Sequence, residues 1–133
     1  MRDIEDIVRE CVGWPYVTGG RGSDGIDCFG LILYILNELG LPIPDFPYSD
    51  TAEGQILFLS NFHRFGRRVS IANLKSGDVM LFKGDSGVLN HLGVAFGRGK
   101  FIHAVVSCGV IVSKVEDKVW KRKFHSCYRY SKE

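Results

Sequence analysis

Cys28 is the residue of this chain best placed to do covalent chemistry. It follows a glycine-rich stretch from Gly13 to Gly25, and it opens the almost wholly apolar run DCFGLILYILNELG. A thiol attacks a carbonyl carbon as thiolate, and an ordinary cysteine, with a pKa of about 8.5, is mostly protonated at neutral pH. The start of a helix lowers that value, because the macrodipole and the backbone N–H groups there favour negative charge. The same N–H groups can hold the oxyanion that forms when a carbonyl is attacked. The other three cysteines lack this setting. Cys11 falls on the apolar face of the first helix, and Cys108 and Cys127 lie in or beside strand segments. These three are expected to be small buried hydrophobes.

A thiol nucleophile also needs a base. Of His63, His91, His103 and His125, two fall on adjacent strand segments. His91 opens HLGVAF, His103 lies within KFIHAVV, and Gly97-Arg98-Gly99 makes the turn between them. A hairpin brings the two imidazoles side by side. One ring can then take the thiol proton while the other accepts from its far nitrogen and fixes its tautomer. His63 and His125 have no such partner and are expected to be surface or satisfied core residues.

The elements that must position these groups follow from periodicity. Ile4, Ile7, Val8 and Cys11 recur at helical spacing opposite Asp3, Glu5, Asp6, Arg9 and Glu10, which predicts a short amphipathic helix ending before Gly13 and Pro15. The run after Asp27 is a buried helix that stops at Gly40 with Pro42 beyond. Pro42 to Tyr48, with three prolines, is extended or turning. Thr51 to Phe65 reads as a helix with Ile56, Leu57, Leu59 and Phe62 inward. After the turn Lys75-Ser76-Gly77-Asp78 the period changes to two. VMLF, HLGVAF, KFIHAVV, GVIVSKV and FHSCYRY are short β-branched and aromatic runs separated by glycine turns, which predicts an antiparallel meander. Helices first and strands afterwards give an α+β domain, with the N-terminal helices packed on a curled antiparallel sheet.

Bulk properties narrow the functional classes. A length of 133 residues suits one domain over 1–133. A net charge of +2 leaves no nucleic-acid footprint. The stretch Lys114 to Glu133 is basic and reads as a solvated face. The charged N-terminus MRDIEDIVREC is neither a signal peptide nor a membrane anchor, so the chain is expected to be made in the cytoplasm without a leader. No apolar run of about 18 residues predicts a membrane span. The cysteines form no C-x-x-C pair, so a structural zinc is not expected and the thiols read as free.

Three ordered motifs carry a family resemblance over most of the chain. GWPYVTGGRGSDGIDCFGL is similar to the P-Y-x-x-G-G … D-C-S-G-L signature of the NlpC/P60 family of cell-wall cysteine peptidases. LKSGDVMLF is similar to its L-x-P-G-D-L-V-F-F, and HLGVAFGRGKFIHAVVSCGVIVSKV to its H-V-G-I-Y-x-G-x-G-x-x-I-H-A … G-V stretch. The resemblance implies a papain-like α+β fold and hydrolysis of amide bonds in peptidoglycan stem peptides, with no metal or organic cofactor. It places the nucleophile at Cys28, the base at His91 and the orienting residue at His103. Tyr16 falls where the family's oxyanion-site tyrosine stands, and Asp27 where an aspartate is associated with the substrate's free amino terminus. Phe29 stands where the family usually has serine, which removes a polar contact and is expected to narrow the pocket. Compact leaderless versions resemble the peptidases of phage tails and gene-transfer particles, which implies action at the cell wall, delivery by such a particle and tail proteins as partners. Two other readings stand beside this one: a non-catalytic tail or binding module with a vestigial site, and an amidase or acyltransferase acting on another substrate.

Overall fold

The computed structural model describes residues 2–45, 60, 64, 66–84 and 87–131. Its first helix, α1 (Ile4–Cys11), forms where the spacing predicts. Asp3 caps it by accepting from the Glu5 N–H at 3.1 Å, and Ile7, Val8 and Cys11 are buried. A two-residue hairpin, β1 (Arg21–Gly22) and β2 (Gly25–Ile26), folds the glycine-rich stretch back on itself. The second helix, α2 (Cys28–Glu38), begins at the candidate nucleophile and buries Phe29, Leu31, Ile32, Ile35 and Leu36. It ends as the sequence requires. Gly40 takes φ +80°, and the Leu41 N–H reaches back to the Leu36 carbonyl at 2.8 Å, closing the last turn.

Six strands make one antiparallel sheet: β3 (Arg67–Val69), β4 (Val79–Lys83), β5 (Leu89–Phe96), β6 (Lys100–Val105), β7 (Gly109–Lys114) and β8 (Phe124–Arg129). Their spatial order is β3-β8-β4-β5-β6-β7. The expected meander is therefore correct for β4 to β7 and wrong for the last strand. β8 returns across the sheet to lie between β3 and β4. The connection includes a short helix that the sequence reading missed, α3 (Lys118–Lys123), with Asp117 as its cap. At the far end of β8, Arg129 clasps the buried Asp78 with two bonds of 2.8 Å. The aspartate of the L-K-S-G-D segment thus ties the start of β4 to β8 and also accepts from the Lys75 N–H at 2.8 Å.

Period-two alternation sorts the sheet residues onto two faces. Val79, Leu81, Leu92, Val94, Ile102 and Ala104 pack with α1 and α2 in the main core. Met80, Phe82, Ala95, Phe101 and Cys127 form a smaller cluster on the other face, against which Trp120 of α3 and Phe124 pack. His91 and His103 share the alternation of this second set. The chain is α+β, with N-terminal helices on an antiparallel sheet, as expected.

The helix expected over Thr51 to Phe65 lies outside the described residues, apart from positions 60 and 64, and so does His63. The expectation of three buried cysteines needs one correction. Cys11 and Cys127 are buried, but Cys108 is exposed. It sits in the turn between β6 and β7, where the Cys108 N–H closes onto the Val105 carbonyl and the side chain is left facing outward. Among the described residues no helix is long and apolar enough to cross a membrane.

Candidate active site

The glycine loop is what brings Cys28 to the sheet. The Gly13 N–H donates to the Val110 carbonyl and the Val110 N–H to the Trp14 carbonyl, which pins the loop to β7. Gly20 passes so close to Gly25 that a Cβ there would meet the Gly25 oxygen at 2.2 Å. A Cβ on Gly30 would likewise meet the Gly20 carbonyl at 2.3 Å, so the loop lies directly on the first turn of α2. Asp27 fixes that first turn. One of its oxygens accepts from the Gly30 N–H at 2.7 Å and the Arg21 guanidinium at 2.9 Å, and the other accepts from the Gly19 N–H at 2.9 Å.

With its start held this way, Cys28 is nearly buried, at 4% exposure, and its Sγ lies 3.8 Å from the Asn90 carbonyl, a long and weak S–H···O contact. Asn90 immediately precedes His91 on β5. Cys28, Asn90, His91, Tyr16 and Trp120 line one cleft of about 350 Å³. The cleft lies where β5 begins and β6 ends, so residues from both faces of the sheet reach it.

Behind His91 stands His103, fully buried. His91 Nε2 lies 2.7 Å from His103 Nδ1, and His103 Nε2 lies 2.8 Å from Ser113 Oγ. The two rings are diagonal rather than directly opposite, since the residue paired with His103 is Gly93. A Cβ on that glycine would meet Phe101 Cδ2 at 2.8 Å and His103 Cβ at 3.5 Å, so the glycine lets both side chains pack against β5. Trp120 closes the outer side: its ring stacks on His91 (centroids 5.0 Å, planes 27° apart) and meets His103 edge-on (4.7 Å, 90°). Phe82 and Phe101 complete the enclosure.

Enclosure decides protonation. Burial, with a smaller contribution from the Lys123 ammonium, pushes the His91 pKa down to about 4. Burial and the neighbouring His91 push His103 down to about 3. Both rings are therefore neutral at neutral pH. An unfolded chain would protonate them at the ordinary value of about 6.5. Their contribution to stability is complete above that pH and is lost as pH falls toward 4 and then 3, where the folded state finally takes up the same protons. Melting temperature is expected to fall between pH 7 and pH 4.5, and to fall less steeply in His103→Gln, which lacks one of the two buried imidazoles. Parallel pH dependences in the two proteins would contradict the assignment.

Tyr16 lines the cleft half-buried. Burial raises the pKa of its hydroxyl, and the nearby Cys28 sulfur adds to the effect. Asp27 does not line the cleft; its carboxylate is engaged with Gly30, Gly19 and Arg21. Phe29 does not narrow the cleft either. Its ring is fully buried in the main core with the Arg21 guanidinium 5.6 Å above it. Sequence reasoning missed Trp120 and Ser113. Trp120 lies in a basic stretch with no apolar periodicity, and the one available signal was an isolated tryptophan. Ser113 could have been found from the β6–β7 register, which pairs His103 with Ile111 and sets Ser113 diagonally beside it.

A helix-terminal thiol and a paired imidazole sharing one cleft define a thiol–imidazole site on an α+β scaffold. The NlpC/P60 family profile matches residues 13–129, and the chain belongs to that family. It is 32% identical over 128 residues to the murein DD-endopeptidase MepS/murein LD-carboxypeptidase of Escherichia coli (strain K12), covering 95% of this chain and 61% of that protein. The chain thus spans about three fifths of the length of this curated relative. Among solved structures, an NlpC/P60 family protein from Bacillus cereus ATCC 10987 superposes with a TM-score of 0.75 at 24% identity, covering 96% of this chain and 39% of that one. The NlpC/p60 domain of the peptidoglycan hydrolase SagA superposes with a TM-score of 0.68 at 26% identity, covering 95% of each chain.

Proposed function

We infer that the protein is a cysteine peptidase that hydrolyses amide bonds in peptidoglycan stem peptides and acts at the cell wall. The observation that carries this reading is that Cys28 and His91 line one cleft while His91 is bonded, through Nε2, to a fully buried second imidazole. The relatives named as a murein endopeptidase and a peptidoglycan hydrolase supply the substrate class.

The chemistry follows from which ring nitrogens are engaged. With Nε2 bonded to His103, His91 serves the thiol through Nδ1. Its Nε2–H then donates to His103 Nδ1, and His103 Nε2–H donates to Ser113 Oγ. His91 takes the Cys28 proton, and the sulfur adds to the carbonyl carbon. Backbone N–H groups at the start of α2 and the Tyr16 hydroxyl hold the oxyanion. His91 returns the proton to the leaving amine as the C–N bond breaks. It then activates a water that releases the acyl group from sulfur. His103 stays neutral throughout and positions His91. Asp27 acts at one remove, by holding the first turn of α2.

A vestigial module would have no need of a bonded line from His91, in the cleft that Cys28 also lines, through His103 to Ser113. Digestion of defined muropeptides with mass analysis of the products tests the reading. Cleavage at one amide of the stem peptide is expected. Intact stem peptides after prolonged incubation, with turnover of unrelated amides or esters instead, would assign the site to another substrate.

A further inference from the structure

α3 is too short to stand by itself in water: it has six residues, none of them buried. Its ends are tied instead. Asp117 accepts from the Val119 N–H at 2.9 Å and from the Trp120 N–H at 3.3 Å, and the Phe124 N–H closes the last turn on the Trp120 carbonyl. The side chain so placed is Trp120, which lines the cleft with Cys28 and His91. How the indole meets its neighbours separates packing from electrostatics. Phe82, Phe101 and His103 meet it edge-on, with planes 74°, 81° and 90° apart, an ordinary way for aromatic rings to pack. His91 instead lies nearly parallel to it, 27° from the indole plane with centroids 5.0 Å apart. A parallel ring presents its π face, the negative side of the ring quadrupole, which attracts a cation within about 6 Å. A neutral imidazole gains only contact from that face, whereas an imidazolium also gains a charge interaction.

The imidazolium needs such a partner. The groups that line the cleft with His91 and can carry charge are Cys28 of α2, Tyr16 of the glycine loop, Lys83 of β4 and Lys123 of α3. Burial opposes protonation of His91 most, and the Lys123 ammonium, 5.4 Å from the same indole ring, opposes it further. His103, behind the ring, stays neutral and offers a hydrogen bond without charge. We propose that Trp120 is a positioning residue of the reaction, whose π face holds the His91 ring plane and stabilises the imidazolium formed when the thiol proton is transferred. The proton passes from Cys28 Sγ to His91 Nδ1 and later to the leaving amine, and no atom of Trp120 takes or gives one. The stabilisation is greater for the charged ring than for the resting one, so it acts on kcat. This inference deepens the peptidase reading and rests on His91 as its base.

Graded fluorination of the indole is the test, because fluorine drains charge from the π face and changes the ring's size little. Tryptophan carrying one, two or three fluorines is incorporated at position 120 alone, and stem-peptide cleavage is followed. The logarithm of kcat is expected to fall in similar steps with each fluorine, with KM steady and thermal melting unchanged. Trp120→Leu, which loses the face, is expected to lower kcat/KM by about ten- to thirtyfold, and Trp120→Phe, with a weaker face, by about threefold. Alkylation of Cys28 by iodoacetamide, mapped by peptide mass analysis so that the exposed Cys108 is counted apart, should slow in parallel. Flat rates across the fluorinated series, or a loss confined to KM, would overturn the role whatever Trp120→Leu does. If the unaltered protein cleaves no stem peptide while alkylation of Cys28 still slows with fluorination, the peptidase reading fails and the role of Trp120 stands.

Discussion

Replacing Cys28 by alanine lowers turnover of a stem-peptide substrate by about ten-thousandfold or more, because alanine offers no atom to form the acyl-enzyme and the two-step route is lost. What remains is binding and the oxyanion donors, which at comparable sites leave a residual acceleration of about 10³–10⁴ over water. The substitution removes one nearly buried sulfur and leaves the anchors of α2 in place. Asp27 still accepts from Gly30, Gly19 and Arg21, and Gly20 still lies on the first turn. The melting temperature should therefore shift by only a few degrees, since a small core truncation of this kind costs about 1 kcal/mol. Cys28→Ser should be almost as inactive, because the serine hydroxyl is far less acidic than a thiol. Turnover within tenfold of wild type in Cys28→Ala would place the nucleophile elsewhere.

The second large effect separates the two histidines. His91→Ala removes the group that takes and returns the proton, and kcat/KM is expected to fall by about a thousandfold, within the range for loss of a general acid–base. His103→Gln keeps a hydrogen-bonding group behind His91 and is expected to cost about ten- to a hundredfold, as loss of an orienting partner does at other sites. The difference arises because His103 is fully buried and does not line the cleft, so it acts through its 2.7 Å bond to His91. His103→Ala is the poorer experiment. It leaves a hole between Phe101 and Trp120, and the stacking that sets the His91 ring plane would relax. An equal or greater loss at His103→Gln than at His91→Ala would mean that the two roles are exchanged.

Much of this site was legible in the sequence because its parts are local. An unbroken apolar run after a glycine loop marks the start of α2, and a Gly-Arg-Gly turn between two alternating runs marks the hairpin that carries both imidazoles. The features that escaped are those that depend on distant pairing. Nothing within FHSCYRY indicates that it pairs with Val79–Lys83 and Arg67–Val69 rather than with β7. Without that return, the short helix carrying Trp120 cannot be placed over His91. The exposure of Cys108 escaped for a different reason. Cysteine usually packs as a hydrophobe, and only the turn that closes Cys108 onto Val105 faces it outward. Asp27 shows a further limit: its position beside the nucleophile gives no sign in the sequence that its carboxylate accepts from Gly30, Gly19 and Arg21.

Four thiols are available in this chain, and the exposed Cys108 competes with Cys28 for any electrophile, so the decisive measurement is one that identifies the attacking sulfur. The protein is mixed with an activated ester of a stem peptide, quenched within a single turnover and mapped by peptide mass analysis. The expected result is one acyl group, carried on Cys28, that disappears as product forms and accumulates when His91 is replaced by a residue unable to activate water. Product formation with no acyl group on Cys28 at any time, or with the acyl group on Cys108, would contradict the account.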